Sequence, residues 1–151
     1  MKILAVDDDP KVLAVIKKRL EFAGYEVITA IEGKEGLLKA RTENPDLIVL
    51  DLILPNLNGY QICAMLKHDA KYQNIPIVIL TSRSQQSDIA EGMRVGADVY
   101  ITKPYDPDDF LNKIKTLLEQ APNKSAEPKS ITTEEKPKES KKPNWWEPEE
   151  K

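Results

Sequence analysis

The chain has 151 residues, 40% of them hydrophobic and 31% charged, a balance typical of one globular domain. Its formal net charge of -3 and isoelectric point near 5.3 argue against a nucleic-acid-binding surface, so we expect no nucleic-acid partner. Cys63 is the single cysteine, which excludes an internal disulfide. No apolar run approaches the roughly 18 residues of a membrane helix. We therefore expect a cytoplasmic protein without membrane insertion.

Five short apolar runs predict buried strands. The runs are rich in Ile, Val and Leu, as the strands of parallel sheets are, and they lie at residues 3–6, 26–30, 47–50, 77–80 and 99–101. The stretches between them have helical spacing. Alternating strands and helices predict an α/β fold, a doubly wound, five-stranded parallel sheet with helices on both faces.

The first and last predicted helices carry the clearest apolar faces. In residues 10–23 and 107–120 these faces consist of Leu13, Ile16, Leu20 and Ala23, and of Phe110, Ile114, Leu117 and Leu118. An Asp-Pro pair precedes each helix, Asp9-Pro10 and Asp106-Pro107. In such a pair the aspartate suits the N-cap and the proline suits the first helical position, which predicts where both helices begin.

The composition changes near Ala121. Residues 122–151 hold 5 of the 11 prolines together with 7 Lys and 7 Glu, and few apolar residues apart from Trp145 and Trp146. A segment of this composition buries too little apolar surface to offset its ordering entropy. We therefore predict a folded domain over residues 1–121 and a disordered tail over 122–151.

Polar side chains follow four of the predicted strands. They are aspartates after the first and third strands, hydroxyls after the fourth, and a hydroxyl and an amine after the fifth: Asp7, Asp8, Asp9, Asp51, Thr81, Ser82, Thr102 and Lys103. Because the carboxyl ends of parallel strands meet at one edge of the sheet, where such sheets bind ligands, we expect these side chains to converge. Adjacent aspartates repel one another, so they are either solvated surface groups or ligands of a cation.

The order and spacing of these residues resemble the receiver domain of bacterial response regulators. The matching segments lie within residues 2–120 and are LAVDDDP (4–10), LIVLDLILPNLNGY (47–60), IVILTS (77–82) and GADVYITKPY (96–105). The resemblance implies the flavodoxin-like strand order 2-1-3-4-5. It also implies a signalling switch that phosphorylation controls.

By this resemblance, Asp51 is the phosphoryl acceptor. The resemblance also implies a site for Mg²⁺, or for Mn²⁺ in its place. The carboxylates of Asp8 and Asp51 and the backbone carbonyl of Ile53 would bind the ion, and Asp7 would act through water or as a second acid.

The resemblance assigns further residues to the response. Lys103 would contact an oxygen of the aspartyl phosphate, and the peptide bond before Pro104 is cis in the family. Thr81 would donate its hydroxyl to a phosphoryl oxygen, and Tyr100 occupies the position of an aromatic switch whose ring turns inward. These movements would reshape the face made by the fourth helix, the fifth strand and the fifth helix.

Several residues are expected to support the site. Asp9 would cap the first helix and Asn58 the third, while Pro55 and Gly59 would shape the loop after the acceptor. Cys63 would be a small packing residue of the third helix.

The implied partners are proteins. A sensor histidine kinase or a phosphotransfer protein would donate the phosphoryl group, and a downstream partner would dock on the switch face, with Trp145 and Trp146 as a second contact. We expect no enzymatic activity beyond the chain's own phosphorylation and dephosphorylation.

Other classes of protein fit the residues less well. A phosphatase of the haloacid dehalogenase type needs a second aspartate two residues after its nucleophile, and this position is Ile53. A flavodoxin needs a phosphate loop rich in Ser, Thr and Gly after its first strand, where this chain has aspartates. Two alternatives stay open: a degenerate receiver that serves as a phosphorylation-independent scaffold, and a receiver that is part of a longer regulator.

Overall fold

The structure is a computed structural model, and it describes residues 1–120. The predicted tail over 122–151, including Trp145 and Trp146, lies outside the described residues, and so does Ala121.

Five parallel strands form a single sheet with the order β2-β1-β3-β4-β5. The strands are β1 (Lys2–Val6), β2 (Glu26–Ala30), β3 (Leu47–Leu50), β4 (Ile77–Thr81) and β5 (Val99–Thr102). Strand β1 lies between β2 and β3 and pairs with both, so that Val6 lies opposite Ala30 on one side and Leu50 on the other. This order confirms the one that the family resemblance implied.

Five helices connect and follow the strands. They are α1 (Pro10–Phe22), α2 (Gly33–Glu43), α3 (Gly59–Lys67), α4 (Gln86–Arg94) and α5 (Pro107–Gln120). The first and last begin at the prolines that the Asp-Pro pairs predicted. Across residues 1–120, none of the helices is long and apolar enough to cross a membrane.

Each face of the sheet carries its own hydrophobic core, because successive residues of a strand point to opposite faces. Leu4 and Val6 belong to a cluster that includes residues of α2 and α3, whereas Ile3 and Ala5 belong to a cluster with residues of α1 and α5. Cys63 is buried in the first cluster, as the sequence predicted. Helices therefore cover both faces, which confirms the doubly wound fold.

One core prediction is wrong. Ala23 was expected on the buried face of the first helix, but it is exposed. The helix ends at Phe22, and Ala23 is its C-cap, whose amide donates to the carbonyl of Arg19. The chain then turns at Gly24, where φ is 101°. The helical spacing continued one residue further than the helix does.

The predicted N-caps Asp9 and Asn58 are confirmed. The carboxylate of Asp9 accepts from the amide of Lys11 at 2.9 Å. Asn58 and Gln61 form a capping box, in which each side chain accepts from the other's backbone amide, at 2.9 and 3.0 Å. The capping box fixes where α3 begins, directly after the loop that follows Asp51.

Asn58→Ala is expected to lower the free energy of unfolding by about 1 kcal/mol, because it removes the acceptor of one reciprocal hydrogen bond. Asn58→Asp is the matched control, since it keeps an oxygen in the same place and should retain most of the stability. Urea denaturation of both variants checks this. Equal losses in the two variants would contradict a capping role.

Candidate functional site

Three carboxylates meet at the carboxyl edge of the sheet. Asp7 and Asp8 follow β1, Asp51 follows β3, and these two strands are neighbours in register, so the three residues leave the sheet side by side. One ligand oxygen from each lies within 4.8 Å of the others. Asp7 and Asp51 are buried, and Asp8 is exposed. The cluster is thus open to solvent on the Asp8 side.

Lys103 reaches the same cluster from the end of β5. Its ammonium lies 2.9 Å from Oδ2 of Asp7 and 3.4 Å from Oδ2 of Asp51. Its backbone amide donates to the carbonyl of Thr81 at 2.8 Å, and the bond from Lys103 to Pro104 is cis, as the family pattern implied. One positive charge therefore sits between two buried negative charges, nearer to Asp7 than to the predicted acceptor.

The electrostatics of this pair follow from burial. Burial raises the pKa of Asp7 above 3.8, although the hydrogen bonds from Lys103 and from the Asp9 amide work against this. Burial alone would lower the pKa of Lys103, but its hydrogen bond to Asp7 and the charges of Asp51 and Asp7 outweigh it and raise that pKa. The ammonium is thus held firmly in its charged form.

Asp7 is expected to give the domain a specific pH dependence in metal-free buffer. Because its pKa is raised in the folded state, the ionised Asp7 carboxylate is less favourable in the folded chain than in the unfolded chain. The contribution of Asp7 to the free energy of unfolding is complete below its pKa in the unfolded chain. It is lost as the pH rises through its higher pKa in the folded chain. The unfolding free energy of wild type minus that of Asp7→Asn should therefore become smaller, or more negative, as the pH rises. A difference that grows with pH would contradict the raised pKa.

The loop after Asp51 is held tightly against α3. The amide of Gly59 donates to the carbonyl of Leu52 at 3.0 Å. A Cβ at Gly59 would overlap the carbonyl oxygen of Asp51 and lie 2.8 Å from Cα of Leu52, so only glycine fits this position. The amide of Ile53, an exposed residue, points to Oδ1 of Asp51 at 3.3 Å. The predicted role of Gly59 in shaping this loop thus has a steric basis.

Thr81 and Tyr100 are linked through the backbone of Arg83. Thr81, the last residue of β4, is fully buried, and its Oγ1 accepts from the Arg83 amide at 3.4 Å. The hydroxyl of Tyr100 donates to the Arg83 carbonyl at 2.8 Å. Burial, with the nearby Tyr60, raises the pKa of Tyr100 to about 12, so this hydroxyl remains a donor.

The ring of Tyr100 already lies against α4. A Cβ at Gly92 would be 2.8 Å from the Tyr100 ring and 3.1 Å from Ile79, so the ring fills the space that this glycine leaves. Tyr100 is half-buried in β5, opposite Ile79 of β4. The Tyr100 ring therefore packs inward against α4, with its hydroxyl on the backbone carbonyl of Arg83.

Sequence reasoning missed a second tyrosine contact. The hydroxyl of Tyr60 in α3 donates to the carbonyl of Asp88 in α4 at 3.1 Å, and the Asp88 carboxylate pairs with the guanidinium of Arg83 at 3.2 Å. Tyr60 and Asp88 are 28 positions apart. Periodicity within either helix indicates a buried side but not the partner across it, so a single sequence carries no signal for this contact.

Residues 3–115 match the family model of the response regulator receiver domain. Among curated proteins, the alkaline phosphatase synthesis transcriptional regulatory protein PhoP of Bacillus subtilis is 42% identical over 120 residues, which are 80% of this chain and 49% of that protein. The DNA-binding dual master transcriptional regulator RpaA of Synechocystis is 40% identical over 117 residues, 78% of this chain and 48% of that protein. The chain spans about half the length of these curated relatives.

A solved structure shares the fold. The receiver domain of the sensor histidine kinase PA1611 from Pseudomonas aeruginosa is 26% identical, with a TM-score of 0.74 over 79% of this chain and 98% of that one. That crystal structure has a magnesium ion coordinated in the active site cleft.

Proposed function

The chain belongs to the response regulator receiver domain family, which acts in phosphorylation-dependent signalling by two-component systems, and on this premise we propose that Asp51 is its phosphoryl acceptor. The observation that carries the proposal is the cluster of Asp7, Asp8 and Asp51, whose ligand oxygens lie within 4.8 Å of one another, together with the Lys103 ammonium. Burying the carboxylates of Asp7 and Asp51 next to each other costs free energy, which favours a role in binding over a role in packing.

The chemistry requires a carboxylate nucleophile and charge neutralisation. In the proposed step, a carboxylate oxygen of Asp51 forms a bond to phosphorus while the bond from phosphorus to the imidazole nitrogen of a donor histidine breaks. Phosphoryl transfer depends mainly on alignment and on balancing negative charge. Lys103 lies 3.4 Å from Oδ2 of Asp51 and so can move from Asp7 towards the incoming phosphoryl oxygens.

The same cluster fits a hard divalent cation. The Asp8 and Asp51 carboxylates would hold Mg²⁺, or Mn²⁺, with the backbone carbonyl of Ile53 as a third ligand and Asp7 acting through water. The magnesium ion in the cleft of the Pseudomonas receiver domain supports this choice. When bound, the ion supplies positive charge that offsets the carboxylates and the phosphoryl group.

We propose that Thr81 and Tyr100 carry the response. The Thr81 hydroxyl would leave the Arg83 amide for a phosphoryl oxygen, and the shared Arg83 backbone would pass this movement to the Tyr100 hydroxyl. Phosphorylation would shift the balance between two arrangements of α4, β5 and α5, the face on which a downstream protein docks.

The proposal extends to partners and place. A sensor histidine kinase or a phosphotransfer protein would be the donor, in the cytoplasm where ATP is available to kinases. Like other receivers, the domain would turn over only its own phosphoryl group. Because the chain spans about half the length of relatives that are transcriptional regulators, the second candidate function is the receiver unit of a longer DNA-binding regulator.

Incubation with acetyl phosphate and Mg²⁺ tests the proposal. We expect one phosphoryl group per chain, lost on treatment with hydroxylamine and absent when a chelator removes the cation. A phosphorylation-independent scaffold would stay unlabelled, and a phosphatase would release phosphate without accumulating one phosphoryl group per chain. Partner capture with and without beryllofluoride, a mimic of the aspartyl phosphate, would then identify what docks on the switch face.

A further inference from the structure

Helix α4 is weakly attached to the rest of the domain. Gly92 is its single buried residue, and Gln85 at its N-cap makes no side-chain capping bond. Its first turn is held through Asp88, whose carbonyl accepts from the Tyr60 hydroxyl at 3.1 Å and whose carboxylate pairs with Arg83 at 3.2 Å. Because α4 buries so little surface, one hydrogen bond supplies a large part of the free energy that holds the helix against the domain.

Tyr60 is in turn tied to the proposed acceptor. It follows Gly59, whose amide donates to the Leu52 carbonyl and whose Cα leaves no room for a side chain against Asp51 and Leu52. The backbone of Asp51 and Leu52 is therefore packed directly against the first turn of α3. A displacement of the backbone at Asp51 would therefore move Gly59 and, through it, the Tyr60 ring.

We propose that Tyr60 is a positioning residue that couples phosphorylation of Asp51 to α4 through α3, as a second route beside Thr81 and Tyr100. The inference rests on the proposed function of Asp51. The two routes meet at Arg83: its guanidinium is joined to Tyr60 through Asp88, and its backbone is bonded to both Thr81 and Tyr100.

The direction of the effect follows from the position of Tyr100. Its ring lies against Gly92, which is the inward arrangement expected of the phosphorylated domain. In the proposed coupling, the bond from Tyr60 to Asp88 is made in that arrangement and lost in the other, so it stabilises the inward arrangement. Since coupling between two sites is reciprocal, removing the Tyr60 hydroxyl must weaken binding of a phosphoryl mimic at Asp51. The net strength of one ordinary hydrogen bond corresponds to about a five-fold change in affinity.

The test compares Tyr60→Phe with wild type in the full chain. Beryllofluoride is titrated in the presence of Mg²⁺ and followed by backbone amide NMR, and hydrogen exchange of the α4 amides is measured without ligand. Tyr72→Phe is the matched control, because Tyr72 packs against the same core cluster and its hydroxyl forms no hydrogen bond within residues 1–120. We expect Tyr60→Phe to need about five-fold more beryllofluoride and to exchange α4 amides about five-fold faster, and Tyr72→Phe to match wild type.

Each other result overturns the inference. Unchanged affinity with faster exchange would make Tyr60 a structural support for α4 and nothing more. Unchanged exchange and affinity, or tighter binding, would remove Tyr60 from the response altogether. Failure of the proposed function is distinguishable from these, because then wild type itself would not bind beryllofluoride, or Asp51→Asn would bind it equally well.

Discussion

Asp51→Asn is expected to reduce phosphoryl incorporation to background while leaving the fold as stable as wild type, or more stable by about 1 kcal/mol. The amide has nearly the shape of the carboxylate but is not a nucleophile towards phosphorus. Asp51 is buried beside two other carboxylates, so removing its charge relieves repulsion. Lys103 keeps its shorter contact, the one with Asp7 at 2.9 Å.

Asp9→Asn is the matched control for this experiment. Asp9 lies in the same acidic run, but its carboxylate caps α1 and is not part of the three-carboxylate cluster. Asparagine caps helices about as well as aspartate, so this variant should be stable and should be labelled normally. Acetyl phosphate labelling with mass spectrometry measures both. Incorporation into Asp51→Asn at the wild-type rate would remove Asp51 as the acceptor.

Lys103→Ala is expected to destabilise the metal-free domain by about 2 kcal/mol, because it leaves two buried carboxylates without their cation. Added Mg²⁺ should restore more stability to this variant than it adds to wild type, since the ion replaces the missing charge. Affinity for Mg²⁺ should be preserved or increased. Switching should be impaired, because no amine remains to follow the phosphoryl group.

The surface pair of Lys113 and Asp109 provides the control for charge removal. These side chains are exposed and four residues apart on α5, so Lys113→Ala should change stability by less than about 0.5 kcal/mol. Thermal unfolding with and without Mg²⁺ measures both lysine variants. If Lys103→Ala loses as much Mg²⁺ affinity as Asp8→Ala does, the roles assigned to these two residues are wrong.

The fold could be predicted largely from local patterns. The apolar run at 47–50 coincides with β3, because Asp46 and Asp51 bound it, and the run at 26–30 coincides with β2, which begins two residues after the turn at Gly24. Asp9 and Asn58 mark the starts of α1 and α3, because a cap is a contact within a few residues. The error at Ala23 belongs to the same class, since periodicity does not show at which residue a helix gives way to a turn.

The convergence of Asp7, Asp8, Asp51 and Lys103 could be expected from topology, because parallel strands end at one edge of the sheet. The finer pairing could not be predicted. That Lys103 prefers Asp7 over Asp51 depends on side-chain reach and burial at distances of a few ångströms. Long-range contacts that leave no periodic trace, such as the one between Tyr60 and Asp88, require the packed structure.

A crystal structure of the chain with Mg²⁺ and beryllofluoride tests the central claim most directly. The account predicts beryllofluoride on the Asp51 carboxylate, one ion bound by Asp8 and Asp51, and the Lys103 ammonium moved from Asp7 to a fluorine atom. A cation bound away from these carboxylates, or beryllofluoride on another aspartate, would contradict it.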